Sequence, residues 1–240
     1  MQDTGWSSGP LVGFDTETTG VDVRSDRIVT AAVVLRTALT TEVRTWLIDP
    51  GVEIPAEAAA IHGVTTEHAR AHGVDPAGAL EEIAAELVTH LRDDVPVVAY
   101  NAAFDLTLLD AELSRHGLPT LPERLGRPVS PVLDPLVIDR WQDRYRRGKR
   151  RLGDLCDLYG ITGDGDLHSA DVDVLATLDV LDAQVLRFPD LRSVALDALH
   201  SAQRDAHRAW AENFNAWRER QGLEGPGAST AWPVEPRRAG

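Results

Sequence analysis

Leu11-Val12-Gly13-Phe14-Asp15-Thr16-Glu17-Thr18-Thr19-Gly20 sets a short apolar run directly before two carboxylates spaced two residues apart. In an extended chain residues i and i+2 point to one face, so Asp15 and Glu17 project together from the end of a strand. Oxygen ligands placed this way suit hard divalent cations. Alone, the pattern also describes an ordinary solvated strand end. Its weight comes from two segments further along the chain.

The first is Val97-Val98-Ala99-Tyr100-Asn101-Ala102-Ala103-Phe104-Asp105. A buried-looking strand breaks at Asn101 and runs into apolar positions 104, 108, 109 and 113, which is helical spacing. Asp105 then falls in the first helical turn, where the helix dipole favours a carboxylate. A plain helix-start role explains Asp105 equally well on this segment alone. Asn101 reads as the cap of that helix, with a contact near a bound ligand as the alternative. The second segment is His168-Ser169-Ala170-Asp171-Val172-Asp173. Ser169 reads as an N-cap, which places His168 in the preceding loop and Asp173 about one turn inside the helix. Asp171 points away from Asp173 on a helix and reads as solvated. Asp134 followed by Pro135 reads as an N-cap with proline at N1, a structural pair.

Asp15, Glu17, Asp105, His168 and Asp173 make a set that resembles the DEDDh (DnaQ-like) 3′–5′ exonuclease family. The similarity covers roughly residues 10–185: the FDTETTG opening, the Ile61-His62-Gly63-Val64-Thr65 loop, the NAAFD segment and the closing His-x₄-Asp, in the family's order. The resemblance implies a ribonuclease H-like α/β fold and a metal-dependent exonuclease acting on nucleic-acid 3′ ends. It implies that Asp15, Glu17, Asp105 and Asp173 hold two Mg²⁺ ions, with Mn²⁺ able to substitute, and that Asp15 bridges them. His168 is implied as general base, since an imidazole titrates near neutral pH. Thr16, Thr18 and His62 become candidates for contact with the terminal nucleotide. The TET form of the opening points to DNA rather than RNA. An exoribonuclease is the second reading, and a non-catalytic accessory subunit the third; the complete ligand set speaks against the third, because an idle site would leave repelling carboxylates uncompensated.

Bulk properties set limits. The 240 residues carry 43% hydrophobic residues, enough for one α/β domain with an extension. The chain as it stands has no room for a polymerase domain, so any editing role is expected to act in trans. No apolar run reaches the ~20 residues of a membrane span, and the N-terminus carries no basic-then-apolar leader. The lone Cys156 reads as buried packing with no internal disulfide, and a cytoplasmic location is expected. The net charge of −14 counts against a nucleic-acid binder. It is uneven, however: Arg140, Arg144, Arg146, Arg147, Lys149, Arg150 and Arg151 face a single acid, Asp143, with Trp141 and Tyr145 interleaved. Such a run is usually a solvated face, but here Arg146, Arg147, Arg150 and Arg151 are candidates for a phosphate-contacting rim.

Strands are expected near 11–15, 27–36, 42–49, 96–100 and 129–134, and helices near 55–61, 66–71, 76–92, 104–116, 136–146 and 151–159. Three sequential strands and then alternation with helices predict a mixed five-stranded sheet covered on both faces. The chain divides into a loose N-terminus (1–9), a catalytic domain (10–188), a C-terminal helix (189–221) and a flexible tail (222–240). Leu199, Ala202, Ala206, Trp210, Phe214 and Trp217 form one apolar stripe on that helix. The stripe is expected to fold back on the domain; docking of a polymerase or repair subunit through the helix or tail is the alternative. Trp232-Pro233-Val234 reads as an isolated apolar patch.

Overall fold

The computed structural model describes residues 5–162 and 168–236. The outermost parts of the expected loose N-terminus and flexible tail, 1–4 and 237–240, and the segment 163–167 leading to His168 lie outside the described residues. Five strands form one sheet: β1 (Leu11–Thr18), β2 (Ile28–Arg36), β3 (Thr41–Leu47), β4 (Val97–Val98) and β5 (Val132–Leu133), in the order β3-β2-β1-β4-β5. β1 pairs antiparallel with β2 and parallel with β4, so the sheet is mixed, as expected. The helices are α1 (Ala56–His62), α2 (Thr66–His72), α3 (Pro76–Arg92), α4 (Ala102–Arg115), α5 (Leu121–Leu125), α6 (Pro135–Gln142), α7 (Leu152–Tyr159), α8 (Ala170–Arg187), α9 (Asp190–Ser193) and α10 (Leu196–Arg220).

Alternation along β1 sorts its side chains between two cores. Val12 and Phe14 join Ile83, Leu87, Leu106 and Leu109 of α3 and α4 on one face of the sheet. Leu11 faces Val174, Leu178 and Leu181 of α8 on the other. Continuing the period of two, Asp15 and Glu17 emerge on the α8 face and Thr16 on the α4 face. Gly13 lets α8 approach: a Cβ there would lie 2.3 Å from Val174 Cγ1. A register shift between Glu17 and Thr18 interrupts the β1–β2 ladder at the strand's exit, the kind of irregularity that re-aims a side chain beside a site.

Two expected elements are shorter than their sequence suggests. The 96–100 and 129–134 strands pair only over Val97–Val98 and Val132–Leu133, and the helix expected over 136–146 ends at Gln142. Arg146 and Arg150 turn back past this end to hold Asp139, which sits fully buried on α6.

The C-terminal helix does fold back, against α6 and β5, but only the start of the stripe goes with it: Leu199 is fully buried and Trp217 exposed. Leu199, His200, Gln203, His207 and Ala211 are the buried positions. Gln203 hydrogen-bonds the Asp134 N–H and the Val132 carbonyl, so polar residues line the contact and hydrophobic periodicity misses it. The tail also departs from expectation. Trp232 is 5% exposed, belongs to the main core and packs 5.0 Å from the His200 ring; it is not an isolated patch. Among the described residues, no helix is long and apolar enough to cross a membrane.

Candidate metal and nucleic-acid site

Three elements bring their carboxylates together at the exit of β1. Oxygen atoms of Asp15, Glu17 and Asp173 lie within 4.8 Å of one another. Asp15 and Glu17 come from the strand and Asp173 from the first turn of α8, the helix that Gly13 admits. Asp105 approaches from the opposite face, in the first turn of α4. One of its oxygens accepts both the Thr16 N–H at 3.1 Å and the Thr16 hydroxyl at 2.7 Å. Thr16 is therefore a bracket for Asp105 as well as a lining residue of the cleft.

The electrostatics are those of an acid cluster awaiting a counter-charge. Burial pushes Asp15 well above the usual carboxylate range, and Asp105, Asp173 and Glu17 add to it by repulsion. Glu17 is raised to about 7, by burial and then by Asp173. Asp105 is raised to about 7 by burial, despite the opposing hydrogen bonds from Thr16. Asp173 is raised by burial, with the His168 N–H and the His168 charge working against it. A donor set of carboxylate oxygens only, crowded and partly desolvated, fits a hard divalent cation, whose charge reverses each of these penalties.

His168 stands at the edge of the same cleft, exposed, with its backbone N–H donated to Asp173 at 3.1 Å. Its φ of 95° is in the left-handed region that a non-glycine residue rarely adopts. Ser169 occupies the N-cap position of α8 but makes no capping bond; its hydroxyl goes to Asp171 instead, which keeps Asp171 outside the cluster.

The other candidates divide. Asn101 lines the cleft, but its side chain makes no cap bond to α4, contrary to the capping expectation. The cap is Asp134, which accepts the N–H groups of Asn101 and Ala102 as well as those of Leu136 and Val137. Asp134 thus starts both α4 and α6, more than the single N-cap read from Asp134-Pro135. Thr18 donates its hydroxyl to the Gly20 carbonyl and shapes the turn after β1. His62 ends α1 near Thr18; burial lowers its pKa more than the Thr18 backbone raises it. The expected arginine rim narrows. Arg146 and Arg150 are committed to Asp139 and to backbone carbonyls, so neither is a free phosphate contact. Arg147 and Arg151 are exposed, and Arg151 lines the cleft.

Sequence reasoning left Arg140 out of the site, although it lines the cleft beside Leu136 and stacks its guanidinium 3.7 Å from the Trp210 ring. The signal was present: Arg140 is the first residue of the basic run. Trp232 was missed too. Its indole N–H reaches Asp134 at 3.3 Å, linking the tail to the start of the helix that carries Asp105.

Comparison with known proteins gives a consistent answer. The sequence model of the exonuclease family RNase_T matches residues 12–181. The PolC-type DNA polymerase III of Streptococcus thermophilus is 33% identical over 168 residues, covering 69% of this chain and 10% of that protein. Its counterpart in Streptococcus sanguinis is 32% identical over 173 residues, covering 71% of this chain and 11% of that one. The chain thus spans about a tenth of the length of these relatives. Among solved structures, exonuclease I from Methylocaldum szegediense superposes with a TM-score of 0.62 at 26% identity, over 88% of this chain and 45% of that one. Escherichia coli exonuclease I in complex with a dT13 oligonucleotide gives 0.64 at 22% identity, over 76% and 42%.

Proposed function

The chain belongs to the RNase_T exonuclease family, and we propose on that basis that it removes nucleotides from DNA 3′ ends as a DEDDh enzyme, releasing nucleoside 5′-monophosphates. The observation that carries this reading is the gathering of Asp15, Glu17 and Asp173 oxygens within 4.8 Å, with Asp105 bound to the intervening Thr16. These four carboxylates are the residues that would hold two Mg²⁺ ions, or Mn²⁺ in their place. Paired divalent ions, when bound, stabilise the entering and departing oxygens of a phosphodiester and offset the charge building on phosphorus.

The chain's own residues supply the rest. His168, exposed at the cleft edge, takes the proton of the attacking water, the general-base role that imidazoles most often fill. Its backbone bond to Asp173 couples the base to the acid cluster. Arg140 and Arg151, both at the cleft, hold the phosphates on the 5′ side of the scissile bond. Thr16 and Asn101 border the position of the terminal sugar, and Thr18 and His62 lie beyond Glu17, towards the terminal base.

DNA is favoured over RNA because the Escherichia coli neighbour holds a DNA oligonucleotide and the streptococcal relatives are DNA polymerases. The same likeness supports a place in replication or repair, with a polymerase or repair subunit as partner. Rates on matched 5′-labelled DNA and RNA single strands, with Mg²⁺ and with chelator, test the reading. Faster 3′ shortening of DNA, abolished by chelator, is expected. Faster shortening of RNA would transfer the chain to the exoribonucleases, and inactivity on both would leave an accessory subunit.

A further inference from the structure

The apolar stripe of α10 runs past the part of the helix that packs on the domain. Its last three members form a ladder. Trp210 and Phe214 are stacked at 5.5 Å with 12° between their planes, and Phe214 and Trp217 at 5.8 Å with 27°. Trp217 is 45% exposed. The tail returns along a neighbouring side of the helix, where His207, Asn215 and Arg218 bond Ser229, Ala228 and Glu224. The ladder is joined to the catalytic cleft by one residue: Arg140 lines the cleft and lies over the Trp210 ring.

Charge is distributed to match. At roughly 100° per residue, Arg218 and Arg220 flank the ladder, while Glu212 and Glu219 fall on the opposite side of α10. Arg218 lies 6.0 Å from the Phe214 ring. In a chain of net charge −14, an aromatic face bordered by arginine, with Glu212 and Glu219 of the same helix turned away from it, is a local reversal. Stacking aromatics beside a cationic track are how proteins bind single strands without reading their sequence.

We infer that the Trp210–Phe214–Trp217 ladder, entered through Arg140, is a binding track for the single strand on the 5′ side of the nucleotide being removed. This rests on the exonuclease reading and deepens it, by assigning the last turns of α10, outside the residues the family model matches, to the strand's 5′ side. The distance gives it a length requirement. Trp217 lies seven residues, or about 10 Å, along the helix from Trp210, so only strands of several nucleotides reach it.

The test compares a strand of about 15 nucleotides, within the range one binding module covers, with the p-nitrophenyl ester of thymidine 5′-monophosphate, which occupies the catalytic centre alone. Trp217→Ala should raise KM for the strand about tenfold, the ~1.4 kcal/mol of one stacked base, with far less effect on the ester. Trp217→Phe, which keeps a ring, should recover most of the loss. Exposure of Trp217 makes misfolding an unsuitable explanation, and a melting curve checks this. Turnover of the ester with equal KM for the strand in wild type and Trp217→Ala would overturn the track while leaving the nuclease reading intact. No turnover of ester or strand by the wild type would instead defeat the nuclease reading on which it depends.

Discussion

Thr16 gives both its backbone N–H and its hydroxyl to a single oxygen of Asp105, at 3.1 and 2.7 Å, and so ties the exit of β1 to the first turn of α4. The two residues are 89 positions apart and meet on the α4 face of the sheet, across from Asp15 and Glu17. Through this pair the fourth carboxylate is held beside the other three. Replacing Thr16 by Val removes the hydroxyl and preserves the shape. Apparent Mg²⁺ affinity should then fall about tenfold, the lower end of what supporting hydrogen bonds contribute at metal sites. Thr16→Ser should retain it. Loss in Thr16→Ser with none in Thr16→Val, measured by metal titration, would assign the effect to the methyl group instead.

The raised carboxyls make a pH prediction for the metal-free protein. Glu17 and Asp105 stand at about 7 when folded, against ordinary values of 4.5 and 3.8. A carboxyl that binds its proton more tightly when folded contributes stability that is complete below the unfolded pKa. That contribution is lost as pH rises through the folded one. In chelator, the melting temperature should therefore decline from about pH 4.5 to about pH 7.5. Saturating Mg²⁺ should remove most of the decline. A chelated protein whose melting temperature rises across that window would contradict the assignment.

Gly13 sets the distance between β1 and α8. Gly13→Ala places a methyl 2.3 Å from Val174 Cγ1 and 3.2 Å from Leu178 Cδ1, an overpacking expected to cost about 1–3 kcal/mol. Because α8 also carries Asp173, activity should fall with stability. Adding Val174→Ala makes room, so urea denaturation of the double variant should show less loss than the two single losses summed. Simple additivity would mean that the helix does not touch the strand there.

The tail is a second support. Trp232 packs in the core and donates to Asp134, whose carboxylate starts α4; Glu235 donates its N–H to the Thr107 hydroxyl on the same helix. Trp232→Ala should cost about 3–5 kcal/mol, as large aromatic truncations do. Trp232→Phe should cost less and report the indole bond alone. A deletion of residues 228–240 that melts at the wild-type temperature would show the tail to be dispensable.

The arginines of the basic run separate into two groups. Neutralising Arg147 and Arg151 together should flatten the salt dependence of single-strand binding by up to about 1.4 in log–log slope, at ~0.7 per phosphate. Neutralising Arg150 should instead lower stability, because it leaves the fully buried Asp139 with one partner fewer. Identical salt slopes in Arg147→Gln/Arg151→Gln and wild type would remove both residues from the strand's path.

Local chemistry made much of this legible beforehand. Asp15 and Glu17 could be placed on one face because strand periodicity is two, and Asp105 and Asp173 in first turns because apolar spacing marked where α4 and α8 begin. What escaped was non-local. Nothing in the spacing of Asp134 indicates that it serves two helices and a tryptophan 98 residues away. Arg146 and Arg150 looked free because Asp139, their partner, lies inside an otherwise apolar helical segment. The C-terminal helix buries Gln203 and His207 in place of its aromatic stripe, since hydrogen-bonding groups of the sheet edge, not apolar area, define that contact.

The most direct test follows a 5′-labelled DNA single strand over a time course with Mg²⁺, comparing wild type with Asp15→Asn and Asp173→Asn. Successive shortening from the 3′ end is expected, with nucleoside 5′-monophosphate released and both variants slowed by at least about a hundredfold, the loss of ~2.7 kcal/mol of transition-state stabilisation. Shortening from the 5′ end, or wild-type rates in Asp15→Asn, would contradict it.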